Sequence, residues 1–262
     1  MLPFPIQAQV SAHRDEYARA FNSAAPVRHV VIDDFLDPDF AQRLYGDLPQ
    51  AGDMPKSRDY MFSDKRELST LDRHSEISRQ LHEAFMSAQF ADFLAPLAGH
   101  PVFLDPAYVG GGFHAGADGS FLDLHTDFNI HPTHEDWLRE FNILLYLNPG
   151  WEPSWGGELL LTDRPGAPTT AVEPRFNRLV IMESTDTSFH GYERISFPAG
   201  RSRRSVAAYA YSPVGAGTVS RHTTNWVPQD GSPLKRMLAK NWNWIVLSKN
   251  KVLGSGTLKN RR

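Results

Sequence analysis

Between Val102 and Pro213 the chain is a succession of short strand-forming runs separated by turn residues, and this alternation limits its possible folds more than any other feature. The runs are Val102–Tyr108, Phe121–His125, Phe141–Leu147, Glu158–Leu161, Thr169–Val172, Leu179–Met182, Ser188–Ile195 and Ser202–Ser212. Between them lie Gly110-Gly111-Gly112, Pro149-Gly150, Asp163-Arg164-Pro165-Gly166 and Pro198-Ala199-Gly200, residues that supply the φ values tight turns demand. Short strands joined this way bury their apolar faces by packing sheet on sheet, as a sandwich or jelly roll.

Helical patterns flank the strands. Val30-Val31-Ile32 reads as a strand before Asp37-Pro38-Asp39, which opens a helix to about Leu48 with a capping aspartate and a proline in its first turn. Ile77, Leu81, Phe85 and Phe90 recur at near-helical spacing and predict one helix over Ser75–Leu94. Another is predicted over Pro233–Leu247, followed by a basic tail from Lys249 to Arg262. The expected class is α+β with a mainly β core, in one domain. Residues 1–100 form a helical and strand support region, 101–213 the β core, and 214–262 a C-terminal helical extension and tail.

Composition excludes several chemistries. With no cysteine among 262 residues, disulfides, thiolate-held zinc, cysteine-ligated iron–sulfur clusters and thiol nucleophiles are all ruled out. A formal net charge of −3 gives no reason to expect a nucleic-acid partner. Met1 to Ala20 lacks the apolar stretch of a signal peptide, and no apolar run reaches the ~18 residues a membrane helix needs. The expectation is a cytoplasmic protein with no membrane association.

His125-Thr126-Asp127 ends a strand-like run, where residues two apart share a face, so an imidazole and a carboxylate point the same way. His190 lies in a later run and is placed to complete the set. Two imidazoles and one carboxylate on one face of an octahedral metal leave positions free for O₂ and a bidentate co-substrate, which suits Fe(II) oxygenases. Arg203 and Ser205 share a face at the start of a largely apolar strand. An inward guanidinium there needs an anion, either a nearby Asp or Glu or the far end of a dicarboxylate, which matches its planar fork. His131 and His134 read as loop residues, His114 as either a substrate contact or idle, and Gly156-Gly157 as a tight turn.

His125-Thr126-Asp127, Leu145-Tyr146-Leu147-Asn148, Trp155-Gly156-Gly157-Glu158-Leu159, His190-Gly191 and Arg203-Arg204-Ser205 occur in that order. Together they resemble the prolyl-4-hydroxylase-like branch of the Fe(II)/2-oxoglutarate-dependent dioxygenases, over roughly Val102 to Pro213 with a weaker echo in Val30 to Leu48. The resemblance implies a double-stranded β-helix and Fe(II) on the catalytic triad His125, Asp127 and His190. It implies 2-oxoglutarate on Arg203 with Tyr146 and Ser205, and a further co-substrate contact from Tyr108. Arg201 and Arg204 remain open as alternative anchors. O₂ is the second co-substrate and ascorbate a reductant. The implied reaction is hydroxylation of a small polar metabolite, amino acid or peptidyl residue, releasing succinate and CO₂. A zinc or manganese jelly-roll enzyme and a catalytically silent binding domain are the competing readings.

Overall fold

The computed structural model describes residues 1–55, 61–215, 220–228 and 232–242. The helices are α1 (Ala8–Ala12), α2 (Arg14–Ser23), α3 (Pro38–Asp47), α4 (Glu76–Phe85) and α5 (Ala88–Ala98), with a further helix over 233–242. The first six strands are β1 (His29–Ile32), β2 (Arg66–Leu68), β3 (Phe103–Leu104), β4 (Gly112–Gly116), β5 (Leu122–Thr126) and β6 (Trp137–Tyr146). The other six are β7 (Leu159–Thr162), β8 (Thr170–Val172), β9 (Arg178–Glu183), β10 (Phe189–Tyr192), β11 (Arg203–Pro213) and β12 (Asn225–Val227).

They make two antiparallel sheets, the double-stranded β-helix that the motif order implies. The larger has seven strands in the order β1-β9-β6-β11-β4-β2, with β3 also on β11, and the smaller has five in the order β12-β5-β10-β7-β8. Strand β11 is buried on both faces, and its alternation assigns each face a job. Val206, Ala208 and Ala210 join Ile143, Leu145, Leu179 and Ile181 in the core beneath the helices, while Arg203, Ser205 and Tyr209 face the space between the sheets. The alanines let a strand sit between two layers without forcing either away.

The helices are stopped and started by side chains the sequence displays. Asp37 accepts from the Phe40 amide at 3.0 Å, with Pro38 in the first turn of α3. The single helix predicted over Ser75–Leu94 is two. Ser87 accepts from the Phe90 amide at 3.1 Å and opens α5 after α4 has ended, and the five-residue step from Phe85 to Phe90 is where the 3.6-residue rhythm breaks. The run Val102–Tyr108 forms a strand only at Phe103–Leu104, because the Asp105 carboxylate accepts from Ala107 N (2.9 Å) and Val109 N (2.7 Å) and turns the chain. Strand β4 begins inside the glycine run expected to be a turn. A Cβ at Gly112 would sit 2.4 Å from the Leu68 carbonyl oxygen, so the neighbouring edge strand can approach only a glycine. Strands β2 and β12 were not foreseen, and β12 carries the smaller sheet past residue 213. Of the predicted C-terminal helix, residues 233–242 are helical. Trp244 and the basic tail, with Lys56, Arg58 and Asp59, lie outside the described residues. Among the described residues no helix is long and apolar enough to cross a membrane.

Asn177 ties the β1–α3 turn to β9. At φ 59° its side chain accepts from Leu36 N at 2.9 Å and donates to Leu36 O at 2.8 Å, both buried. Asn177→Ala loses both bonds and places an alanine in a left-handed conformation, so urea unfolding is expected to show a loss of about 2–4 kcal/mol.

Candidate metal centre and co-substrate cavity

His125 on β5 and His190 on β10 are register partners, so their side chains stand side by side across two paired strands with ring centroids 4.2 Å apart. Asp127 follows β5 by one residue. Its carboxylate lies 3.5 Å from His125 Nε2 and 3.6 Å from His190 Nε2. One ligand atom from each residue falls within 4.8 Å of the other two. Both rings are turned by the same device: Nδ1 of His125 donates to Asp123 O at 2.9 Å, and Nδ1 of His190 to Ser188 O at 3.2 Å. A carbonyl can only accept, so Nδ1 carries the proton and each Nε2 lone pair faces the carboxylate.

Electrostatics keep His190 and Asp127 ready to ligate. Burial, then the neighbouring His125 ring, pushes the His190 imidazole down to about 4, so it is neutral at neutral pH. Burial raises the Asp127 carboxyl, but the Arg139 guanidinium outweighs it and holds it well below the usual carboxylate range. Arg139 Nη1 lies 2.8 Å from Asp127 Oδ2, and Asn142 Nδ2 donates to the same oxygen at 2.7 Å.

The three side chains open onto a cavity of about 140 Å³. Arg203 lines it, buried, with Nε donating to Gly157 O at 2.7 Å and Nη2 to the Tyr146 hydroxyl at 3.2 Å. The guanidinium lies over the Tyr192 ring, 4.2 Å from its centroid. Tyr146 and Ser205 are register partners on β6 and β11 and line the same cavity. The other two guanidiniums are elsewhere. Arg201 donates to Pro149 O and lies over Trp155, while Arg204, on the opposite strand face, donates to Ser202 and Gln50. Arg201→Ala is therefore expected to leave the KM for 2-oxoglutarate near wild type, as steady-state kinetics would show. Tyr108 is a correction. It does not line the cavity but points into the core under the helices, its hydroxyl 3.1 Å from His82 Nδ1, because the Asp105 turn carries it out of the strand.

The place given to Tyr108 is taken by His114 on β4, opposite Ser205. Burial, then the nearby Lys65 ammonium, holds its imidazole well below the ordinary value, and its Nε2 has no hydrogen-bond partner among the described residues. Arg139 carried no sequence signal. The β6–β11 register shifts from Ala210↔Phe141 to Tyr211↔Arg139, and this bulge turns Arg139 to the cavity, where strict alternation would point it away. Its guanidinium is sandwiched between Phe128 and Tyr209, 3.8 Å from each ring centroid. His131 is structural: buried, with Nε2 3.5 Å from Asp105 Oδ2 and Nδ1 accepting from the Thr133 and His134 amides.

Two imidazole nitrogens and a carboxylate facing one point suit a divalent iron, and the buried guanidinium on the same cavity suits a dicarboxylate's far end. Arg139 Nε and Asn142 Oδ1 beside the triad also lack hydrogen-bond partners among the described residues, as a site shaped for further ligands would leave them. A sequence profile described as "2OG-Fe(II) oxygenase superfamily" matches residues 111–211, the stretch that holds all three ligands and Arg203. Over that stretch the chain is similar to that superfamily. The superfamily's name points to Fe(II) and 2-oxoglutarate, and the donor set described above fits both. A sequence relative of this chain is Prolyl 3-hydroxylase OGFOD1 of Xenopus laevis, 29% identical over 199 residues. That match takes in 71% of the chain but only 35% of the relative, so the chain spans about a third of its length. Among solved structures, a Pseudomonas putida prolyl-4-hydroxylase shares the fold at TM-score 0.53 and 19% identity, covering 76% of this chain and 100% of that one. A Trichoplax adhaerens prolyl hydroxylase, solved with a hypoxia inducible factor oxygen degradation domain peptide fragment, shares it at TM-score 0.56 and 16% identity, over 78% and 93%.

Proposed function

We propose that this oxygenase couples the oxidative decarboxylation of 2-oxoglutarate to hydroxylation of an unactivated C–H bond, releasing succinate and CO₂. One observation carries the reading: the opposed His125–His190 pair and Asp127 share a cavity with a buried guanidinium that makes no ion pair among the described residues. His125, Asp127 and His190 would hold Fe(II), which supplies O₂ activation when bound. Arg203 would anchor the far carboxylate of 2-oxoglutarate, with Tyr146 and Ser205 alongside. Asn142 and Arg139 keep the Asp127 carboxylate turned toward the imidazoles. Phe128, Leu144 and Leu159 give the cavity apolar wall that limits water near the reacting carbon. The relatives' names put a prolyl residue, in a peptide or free, first among substrates to try. A small polar metabolite follows, because Lys65 and Glu67 place charge at the cavity.

The test is succinate formation by the purified chain with Fe(II), O₂, ascorbate and 2-oxoglutarate, first alone and then with prolyl peptides, free amino acids and polar metabolites. Substrate-stimulated succinate is the expected result. Tight Fe(II) binding with no succinate under any condition would favour the silent binding domain. Hydrolytic turnover with zinc or manganese, indifferent to 2-oxoglutarate, would favour the other metalloenzyme.

A further inference from the structure

The His125 ring has a neighbour on each side, and only one is a metal ligand. Strand β5 pairs with β10 on one edge and β12 on the other, so His190, His125 and Trp226 form one row across three strands. The Trp226 indole lies 4.6 Å from the imidazole at an interplanar angle of 25°, and His190 lies at 4.2 Å. Trp226 is itself backed by Phe62, 5.0 Å away at 12°, and Trp242 stands edge-on to Phe62 at 5.1 Å.

The segment holding Trp226 follows the ligand motif along its length. Val227, Trp226 and Asn225 pair with Leu124, His125 and Thr126. Past Asp127, the Asn129 side chain donates to Ser220 O at 2.8 Å and accepts from His222 N at 2.9 Å. Residues 220–227 therefore bind the chain on both sides of His125-Thr126-Asp127. The helix over 233–242 adds a fastening, with Lys235 Nζ 2.7 Å from a carboxylate oxygen of Asp123, the residue whose carbonyl orients His125. Residues 220–227 and the 233–242 helix lie beyond the residues 111–211 matched by the superfamily profile.

We infer that residues 220–227 are a splint for the metal-binding motif and that Trp226 is a positioning residue for His125. The inference rests on the metal reading above. A flat indole against the imidazole leaves the ring no room to rotate about its Cβ–Cγ bond, so Nε2 stays aimed at the ion. Fixing a ligand before the metal arrives raises affinity because less side-chain freedom is lost on binding. The splint thus ties metal affinity to a segment outside the conserved-profile core.

Cobalt(II) titration of the full chain, followed by calorimetry and by the visible absorption of the bound ion, tests this without turnover. Trp226→Ala is expected to weaken Co(II) binding by about 10- to 100-fold, the usual cost of losing a partner that orients a ligand, and to change the Co(II) spectrum. Trp226→Phe, which keeps a flat ring, should restore both. Asn129→Ala frees one end of the splint and should weaken binding several-fold with Trp226 intact. Leu238→Ala thins the same apolar cluster without touching His125, so it should lower Tm and leave Co(II) affinity alone. Wild-type affinity in Trp226→Ala would overturn the inference, as would an equal loss in Leu238→Ala. If Trp226→Ala does not fold, unchanged affinity in Asn129→Ala overturns it instead. A wild-type chain that binds no Co(II) would overturn the metal reading itself.

Discussion

Asp127→Ala is expected to abolish metal binding and succinate formation together, a loss well beyond the roughly 10- to 100-fold that follows removal of a residue merely orienting a ligand. The carboxylate is the one anionic ligand of the three. Its removal leaves two imidazoles, which bring no negative charge, to hold a divalent cation next to Arg139, whose positive charge is then unopposed. The same substitution strips Arg139 of its partner at 2.8 Å and Asn142 of its acceptor at 2.7 Å, in a place where the guanidinium is fully buried. Breaking a buried ion pair from one side costs about 3–5 kcal/mol, so the apo protein should also unfold at lower denaturant. Asp127→Asn separates the two effects. It keeps a hydrogen-bonding group of the same shape toward Arg139, so it should recover part of the stability and little of the metal affinity. Calorimetry with Fe(II) under anaerobic conditions and urea unfolding measure the two losses. Retention of metal-dependent succinate formation by Asp127→Ala would mean that the ligand set has been misread.

The convergence of His125 and Asp127 was legible because a strand's two-residue period says where they point, and a one-residue overrun past Thr126 does not spoil it. Arg203 and Ser205 were readable by the same rule. What alternation cannot reveal is an inserted residue. Arg139 reaches the cavity through a bulge in β6, and a bulge has no composition of its own. Tyr108 failed for a related reason. A strand was extended through Asp105, whose side chain caps the very turn that removes Tyr108 from it and leaves His114 at the cavity. Trp226 was outside any legible pattern. Asn225–Val227 is a three-residue edge strand whose pairing with β5 is a long-range fact that local propensity does not encode.

Arg203→Met is expected to raise the KM for 2-oxoglutarate by about 30- to 1,000-fold, the range that matches a loss of roughly 2–4 kcal/mol when one side of a buried charge pair is removed. The side chain is oriented before any anion arrives. Its Nε is held by the Gly157 carbonyl, one terminal nitrogen by Tyr146, and its face by Tyr192. Arg203→Lys keeps the charge but loses the planar fork and the contact to Gly157, so it should recover only part of the affinity. Gly157 offers an independent route to the same step. At φ 91° a Cβ there would lie 3.1 Å from Arg203 Cδ, so Gly157→Ala should push the guanidinium aside and raise KM with all ligand residues intact. Apo stability distinguishes anchoring from simple support. Methionine in that site leaves no buried charge to solvate, so Tm without co-substrate should change little, while the Tm rise on adding 2-oxoglutarate with Mn(II) disappears. If Arg203→Met instead lowers apo Tm sharply and still binds 2-oxoglutarate at wild-type concentration, the guanidinium is a strut for β7 and β11, and the dicarboxylate must be held from the His114 side of the cavity.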